Sequence, residues 1–317
     1  MGRSPVATRS LLSRALAQLA TRLEPESTFA RASTALRIHC TPQDEETGVA
    51  SSRRSQDAAQ RPGSTSPTPS VLFLPGNGHD PVRLERVREE IEAAGQPFDL
   101  VEAPYPKAAS FQDLLDQLES RHGTWSEAHP GGLIYATGIG GLVALSLRAR
   151  GAFAKHPIVV QGAVLWGLEK RWFPRIMRLP GTPHLLAWAF QRKWIQARFQ
   201  RHHLRTEPSP DWSRRFFAGY ADGDSFAAWF DWLTPGLLRE LEAQVKARPA
   251  ALERLEAWWG ELDSVVGPEE LAVTERALGA TIPVRSFPDW AHYPMIDDPK
   301  GWVREVSLAV EAASQLP

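Results

Sequence analysis

Residues Leu133–Leu145 read LIYATGIGGLVAL, and this stretch changes at its glycines from a strand pattern to a helix pattern. We predict a strand over Gly132–Thr137 and a helix over Ile139–Arg150. Glycine between a strand and a helix is typical of a sharp turn, because the residue at the tip takes a strained conformation. Small neighbours let strand and helix approach each other, so the stretch predicts a close strand–turn–helix unit.

Units of the same kind repeat along the chain from Val71 onwards. Short apolar runs predict six strands, at Val71–Leu74, Phe98–Glu102, Gly132–Thr137, Ile158–Trp166, Leu252–Trp259 and Ile282–Phe287. Amphipathic segments predict helices at Arg83–Ala94, Phe111–Arg121, Ile139–Arg150, Glu269–Leu278 and Gly301–Ala313. Such alternation is typical of a mostly parallel sheet covered by helices on both faces, so we predict an α/β fold.

The pattern divides the chain into three parts. We predict an N-terminal extension in residues 1–69, an α/β core in residues 70–167 and 248–317, and a helical insertion in residues 168–247. The extension ends in a run rich in Ser, Pro, Gln and Thr, a composition that buries too little apolar surface to order itself. We therefore expect the extension to be disordered or to act in targeting.

The insertion carries half of the chain's twelve tryptophans. An aromatic helical segment placed after a core strand predicts a lid over the edge of the sheet where the strands end. We expect most of these aromatic side chains to pack the helices of the insertion itself and a few to face a pocket.

The first residues of the extension leave two localisations open. Arg3–Arg22 contains arginine and serine, has no acidic residue before Glu24, and places leucines at helical spacing, as an organellar transit peptide does. A bacterial extension or an over-long start has the same composition in an arginine-rich chain. We expect a cytoplasmic protein, with a mitochondrial location as the alternative.

Composition limits the partners of the chain. The formal net charge of the 317 residues is -1, so the count predicts neither a nucleic-acid-binding face nor a polybasic membrane patch. The longest apolar stretch, Leu133–Leu147, is shorter than the roughly 20 residues that span a bilayer, so no stable membrane insertion is expected. Cys40 is the only cysteine, which excludes an internal disulfide and a cysteine-based zinc site. A small, apolar molecule is the expected partner, and the oligomeric state stays open.

Two loops near the C-terminus carry the most specific signal. Trp259–Glu270 reads WGELDSVVGPEE, and Phe287–Pro299 reads FPDWAHYPMIDDP. They resemble the acid loop and the histidine loop of the α/β-hydrolase superfamily, in that order along the chain. The resemblance covers about Val71–Ala313 except the insertion and is greatest to members with a lid. It implies that Asp263 is the catalytic acid and His292 the catalytic base.

The strand–turn–helix unit resembles the nucleophile elbow of the same superfamily, G-x-S-x-G. Aligning Gly140 with the second glycine of that motif places Ala136 at the first glycine and Gly138 at the nucleophile. Thr137 cannot replace the missing serine without shifting the register by one residue. The resemblance therefore implies an elbow that has no reactive side chain.

The loop after the first strand resembles the superfamily's loop that supplies an oxyanion donor. Phe73–Asp80 reads FLPGNGHD, with Pro75 where the family often has histidine. The resemblance implies that the backbone N–H groups of Asn77 and Ile139 are the two donors. Such a pair stabilises negative charge that develops on a bound carbonyl.

The missing serine decides which chemistry remains. An imidazole without a hydroxyl to activate does not support covalent acyl transfer. An Asp–His dyad with an oxyanion hole still suits water-mediated hydrolysis or proton abstraction, on a bulky apolar carbonyl compound and without a cofactor or a metal. The alternative is an inactive homologue that serves as a binding protein. Glu169, His79 and Asp80 are further candidates for the acid and base roles.

A second alternative comes from the helix that follows the turn. Residues Gly138–Gly151 read GIGGLVALSLRARG and resemble a dinucleotide fingerprint in which Ala136 replaces the first glycine, as in a flavin or NAD oxidoreductase. That fingerprint normally opens the nucleotide-binding unit, whereas two strand–helix units precede this one. An acid about 20 residues further on is also missing, so the α/β-hydrolase resemblance is favoured.

Overall fold

The structure of the chain is a computed structural model, and it describes residues 68–78, 81–162, 166–167, 177–179 and 181–315. The predicted N-terminal extension lies outside these residues except at its last two positions. The further candidates for the acid and base roles also lie outside them, namely His79, Asp80 and Glu169.

The described residues form one sheet of six parallel strands in the order β2-β1-β3-β4-β5-β6. The strands are β1 (Ser70–Leu74), β2 (Asp99–Glu102), β3 (Leu133–Thr137), β4 (Ile158–Gln161), β5 (Leu255–Gly260) and β6 (Val284–Phe287). β1, β3 and β4 are buried along their whole length, as their nearly continuous apolar sequences require. The predicted α/β fold with a parallel sheet is confirmed.

Helices pack on the sheet in two groups. Among the described residues the helices are α1 (Glu85–Ala93), α2 (Phe111–Ala128), α3 (Gly140–Arg150), α4 (Thr182–Phe190), α5 (Lys193–His203), α6 (Pro210–Ala218), α7 (Gly223–Trp232), α8 (Pro235–Ala247), α9 (Pro268–Leu278), α10 (Pro294–Asp297) and α11 (Pro299–Ser314). α1 packs against α11, while α3 packs against α2 and α8, and α8 also contacts α9. This is the arrangement that a parallel sheet with helical crossovers requires.

The strand order reverses at β1, which has β2 on one side and β3 on the other. In open parallel sheets a crevice forms at such a point, beyond the carboxyl ends of the strands, because the following loops diverge there. The loops after β1 and β3 meet at this edge and both contain glycine, at Gly76, Gly78 and Gly138. The fold therefore brings the predicted elbow and the predicted oxyanion loop to one place.

The predicted strand Leu252–Trp259 begins at Leu255 instead, and the two largest boundary errors lie elsewhere and have local reasons. The predicted strand Ile158–Trp166 ends at Gln161, because Gly162 takes a φ of 54° and Trp166 lies in a bend. The predicted helix Phe111–Arg121 continues to Ala128, because Trp125 adds a further buried side chain to its apolar face.

The insertion between β4 and β5 contains five described helices, α4 to α8. Its interior is a cluster of aromatic rings with neighbouring centroids 4.9 to 6.3 Å apart, formed by Phe190, Phe199, Phe216, Phe217 and Tyr220. Phe216 and Phe217 are fully buried. These rings pack the helices of the insertion against one another.

A second aromatic group fixes the core of the sheet. The ring of Tyr135 on β3 lies 5.6 Å from that of Trp258 on β5 and 5.0 Å from that of Trp302 on α11, both edge to face. Trp258 and Trp302 are fully buried, and rings of this size contribute more to core stability than any aliphatic side chain. No helix among the described residues combines the length and apolar character needed to cross a bilayer.

Candidate active site

The structure places Asp263 and His292 in direct contact. His292 Nδ1 lies 2.9 Å from Asp263 Oδ2, and the two residues come from the loops that follow β5 and β6. Asp263 Oδ1 accepts the backbone N–H groups of Val265 and Val266, at 2.8 and 3.0 Å. The carboxylate is thus held on both oxygens, while the ring nitrogen Nε2 of His292 is left for another partner.

Both side chains of the pair are largely removed from solvent. The side chain of Asp263 is 2% exposed and that of His292 is 13% exposed. Burial alone would raise the pKa of Asp263, but the hydrogen bond and positive charge of His292, together with the two backbone N–H groups, outweigh it and lower the pKa. Asp263 therefore stays ionised and can stabilise a positive charge on the imidazole.

Gly138 forms the tip of the turn between β3 and α3. Its φ is 51°, in the left-handed region that L side chains rarely adopt. A Cβ atom built at Gly138 would meet only Gly76 Cα, at the ordinary contact distance of 3.6 Å. Thr137 is the last residue of β3 and buried, so it does not stand at the tip. The turn has the backbone of an elbow and room for a side chain.

Gly140, by contrast, is in contact with the backbone of the neighbouring loop. A Cβ atom at this position would lie 2.4 Å from Leu74 O and 2.7 Å from Pro75 O. Real Cβ atoms do not approach backbone so closely, which explains why α3 starts with glycine. The close approach holds the loop after β1 against the first turn of α3.

The two predicted oxyanion donors are available for a ligand. Within the described part of the chain, no group accepts the backbone N–H of Asn77 or of Ile139. Ile139 directly precedes α3, so its N–H lies at the positive end of the helix dipole. These donors and the tip of the turn belong to the same edge of the sheet.

A buried arginine holds the loop that contains Asn77. Arg83 Nη2 donates to Gly78 O at 2.6 Å and to the hydroxyl of Tyr220 in the insertion at 3.0 Å. Gly78 has a φ of 67°, and a Cβ atom there would lie 2.2 Å from the Tyr220 ring. The insertion is thus in direct contact with the loop that contains Asn77 and Gly78.

Gln161 and Gly162 connect the two sides of the site, and the sequence analysis missed both. The carbonyl of Gln161 accepts the N–H of Gly138 at 3.2 Å, and its side-chain Nε2 donates to His292 O at 3.0 Å. A Cβ atom at Gly162 would lie 3.3 Å from His292 Nδ1. The contact between Gln161 and His292 joins positions 131 residues apart, so no local pattern in the sequence reveals it.

A second histidine, His203 at the end of α5, lies beside the pair. Its ring centroid is 5.6 Å from that of His292, and it stacks on Phe199 at 3.7 Å. Its Nδ1 lies 2.8 Å from Phe199 O, so it donates to that carbonyl. Burial, followed by the nearby charge of His292, holds the pKa of His203 well below its usual value. His203 is therefore a neutral ring beside the dyad.

The same end of the insertion is attached to the loops that carry Asp263 and His292. Ser264 Oγ donates to His202 O at 2.8 Å, next to Asp263 in the acid loop. Asp297, in the short helix α10 within the histidine loop, accepts the backbone N–H groups of Arg205 and Thr206 at 2.9 and 3.0 Å. These bonds fix the start of the α5–α6 connection relative to His292.

Two surface grooves lie away from this site. One lies beside β2, between Arg88 and His129, and the other lies between Trp259 and Val284. Neither is lined by Asp263 or His292. The described residues also contain no group of three His, Cys, Asp or Glu side chains able to hold a metal ion.

The arrangement of the sheet is shared with known enzymes. A haloalkane dehalogenase from Bradyrhizobium elkani USDA94 superposes with a TM-score of 0.57 at 18% identity, over 78% of this chain and 91% of that one. A candidate lipase from Acinetobacter baumannii AYE superposes with a TM-score of 0.53 at 15% identity, over 79% and 87% of the two chains. The chain has the α/β-hydrolase fold. No protein-family model and no curated protein sequence matches it.

At such low identity the α/β-hydrolase neighbours establish the fold alone. The fold accommodates many unrelated reactions, so the chemistry has to be argued from the side chains at the site. The dyad, the glycine at the elbow tip and the two N–H groups are the features on which that argument depends.

Proposed function

We propose that the chain is an α/β-hydrolase-like enzyme in which Asp263 and His292 form a general-base dyad. The substrate is a bulky, largely apolar carbonyl compound, and no covalent intermediate forms on a serine. The observation that carries this proposal is the 2.9 Å contact of His292 Nδ1 with Asp263 Oδ2, beside an elbow whose tip is Gly138.

In the hydrolytic form of the reaction, His292 Nε2 removes a proton from a water molecule as its oxygen attacks the carbonyl carbon. Asp263, which remains ionised, stabilises the imidazolium that forms. The carbonyl oxygen becomes an oxyanion that accepts the N–H groups of Asn77 and Ile139. The imidazolium then returns the proton to the leaving group as the tetrahedral intermediate collapses.

In the second form of the reaction, the same nitrogen removes a proton from a carbon next to the carbonyl. The negative charge moves to the carbonyl oxygen, where the same two N–H groups stabilise the enolate. The absent side chain of Gly138 leaves space for the water of the first reaction or the substrate carbon of the second. Both reactions need only a base that lies within reach of the proton it removes and that has a suitable proton affinity.

An apolar substrate is favoured by the rings around the base. Tyr293 lies 4.6 Å from the His292 ring, and Phe216 of the insertion lies 5.9 Å from Tyr293. We propose that the insertion is a lid that supplies this apolar wall. His203, being neutral, adds no positive charge beside His292.

The test uses a fluorophosphonate probe and a panel of p-nitrophenyl esters with the full chain. Gly138→Ser should become labelled by the probe and should form an acyl-enzyme detectable by mass spectrometry. The wild type and Gly138→Ala should stay unlabelled, because neither has a hydroxyl at the tip. Gly138→Ser/His292→Gln should lose the labelling, since the serine then has no base.

The wild-type reaction is tested separately. If it hydrolyses an ester of the panel, His292→Gln should lower kcat/KM about 10²- to 10⁴-fold, the usual contribution of a general base. Equal rates for wild type and His292→Gln would contradict the proposal. A labelled Gly138→Ser protein beside a wild type that binds esters without converting them would favour a binding protein instead.

A further inference from the structure

One segment of the insertion has a charge that the whole chain does not show. Residues 170–206 contain nine Lys and Arg residues and no Asp or Glu, although the chain carries a net charge of -1. The same segment contains three tryptophans. An excess of positive charge combined with tryptophan is typical of surfaces that meet the headgroups of a membrane.

The centre of this segment is exposed in the structure. α4 ends and α5 begins within seven residues, at a turn that we call the α4–α5 corner and define by Trp188, Arg192, Lys193 and Trp194. Trp188 is 54% exposed and Trp194 is 67% exposed. Because the corner spans only seven residues, its two rings and two cations lie close together on the surface.

The two cations of the corner are available to an external anion. The guanidinium of Arg192 lies 4.1 Å from the centroid of the Trp188 ring. Neither Arg192 nor Lys193 forms an ion pair with any residue that the structure describes. Their charges are therefore not neutralised by a described carboxylate.

The exposed surface continues along α5. Trp194, Ala197 and Arg201 are all exposed and follow one another at intervals of three and four residues, which places them on one face of the helix. Every residue of α5 retains some exposure. At the start of α4, exposed His184 lies 3.4 Å from the carboxylate of Asp224, so a negative charge borders the basic surface there.

We propose that the α4–α5 corner docks the protein on the surface of an anionic phospholipid bilayer. The indole rings enter the interfacial region, where a flat ring with a polar N–H is favoured, and the cations approach the phosphates. Two large, half-exposed apolar rings favour a lipid surface over a nucleic acid, whose backbone binds cations without requiring a tryptophan pair. The docking is peripheral, and it is independent of the chemistry at His292.

The test is flotation of the full chain with vesicles of phosphatidylcholine, with and without about 30% phosphatidylglycerol. The wild type should bind the anionic vesicles more strongly, and added salt should weaken the binding. Arg192→Gln/Lys193→Gln should weaken it on the order of 30-fold, from about 1 kcal/mol per cation near the surface. The matched control Arg86→Gln/Arg121→Gln, which removes two exposed cations from α1 and α2, should bind as the wild type does.

The tryptophans are tested in the same way. Trp188→Ser/Trp194→Ser should weaken binding about tenfold or more, whereas Leu308→Ser, at a 51% exposed leucine on α11, should not. Unchanged thermal unfolding of each variant shows that the fold is intact. His292→Gln should keep full vesicle binding, so failure of the catalytic proposal would leave this one standing.

Three results would overturn the docking proposal. One is a wild type that does not float with anionic vesicles at low salt. Another is equal binding by the corner variants and their controls, which would move the interaction to a different part of the chain. The third is binding of a duplex oligonucleotide, or self-association removed by Trp188→Ser/Trp194→Ser, without any binding to vesicles.

Discussion

The candidate site has two sides that are built differently. We call the side that carries His292 the base side, and the side formed by the turn between β3 and α3 the turn side. On the base side, Asp263, His292 and Gln161 are joined by side-chain hydrogen bonds. On the turn side, Gly138 and Gly76 face each other without side chains, and contacts between backbone atoms set the geometry. The comparison shows that close packing of β3 against α3 sets the backbone of this turn without any side chain at its tip.

The largest expected effect is that of Gly140→Ala on the turn side. Its Cβ would meet the backbone oxygens of Leu74 and Pro75, which cannot move aside as a flexible side chain could. We expect the free energy of unfolding to fall by about 3 kcal/mol, at the upper end of the range for overpacking. Urea denaturation measures it, with Gly123→Ala in the open middle of α2 as the control that should be neutral or stabilising. A loss below about 1 kcal/mol would show that backbone contacts at Gly140 do not set the geometry of the turn side.

Next in size is the effect of Asp263→Ala on the base side. The substitution leaves the N–H groups of Val265 and Val266 and the Nδ1 of His292 without their acceptor. Hydrogen bonds to a buried charge contribute more than neutral ones, so we expect a loss of about 2 to 4 kcal/mol in unfolding free energy. The exposed Asp231→Ala is the matched control. Equal stability of the two variants would mean that the carboxylate does not hold its loop.

A smaller effect is expected in the pH dependence of the free energy of unfolding, and it arises from His203. The folded-state pKa of His203 lies well below its usual 6.5. As the pH falls through 6.5, the unfolded chain therefore takes up a proton that the folded chain does not, and stability is lost. The loss is at most about 1.4 kcal/mol per pH unit for one group.

The measurement is urea denaturation between about pH 7 and about pH 5. His203→Gln should lose less stability over this range than the wild type. A parallel decline of His203→Gln and wild type would show that His203 is not held neutral. The lowered pKa of Asp263 acts at lower pH, because its contribution is lost only below the usual 3.8.

An effect of similar size to that of His203 is expected for Gly138→Ala. The only neighbour of the new Cβ is Gly76 Cα at an ordinary distance, so the cost arises from the φ of 51°. An L residue in this region loses about 1 to 2 kcal/mol. The measurement is again urea denaturation, and a cost equal to that of Gly140→Ala would mean that the tip has no room for a nucleophile.

The sequence predicts the parts of this structure that depend on short segments. The alternation of strands and helices gave the α/β fold, and two loops of about a dozen residues located Asp263 and His292. The end of β4 was missed, because the φ of Gly162 ends the strand inside an apolar run. Gln161 and His203 were missed as well, since each reaches the dyad from a distant position in the chain.

The net charge of the whole chain did not predict the charge of its individual segments. A net charge of -1 argued against a basic patch, yet the count averages over segments that the fold keeps apart. The exposure of Trp188 and Trp194 is likewise invisible in a sequence where most tryptophans are expected inside. Local counts over the insertion would have been more informative than the total.

Helix α5 begins at the exposed corner and ends at His203 beside the dyad. Its 11 residues rise about 16 Å at 1.5 Å per residue. An apolar molecule dissolved in a bilayer beneath the corner would thus travel about one helix length to the base. It would avoid most of the cost of entering water, about 0.8 kcal/mol for each methylene group. Partitioning into lipid, rather than solubility in water, would then set the concentration of such a molecule near the site.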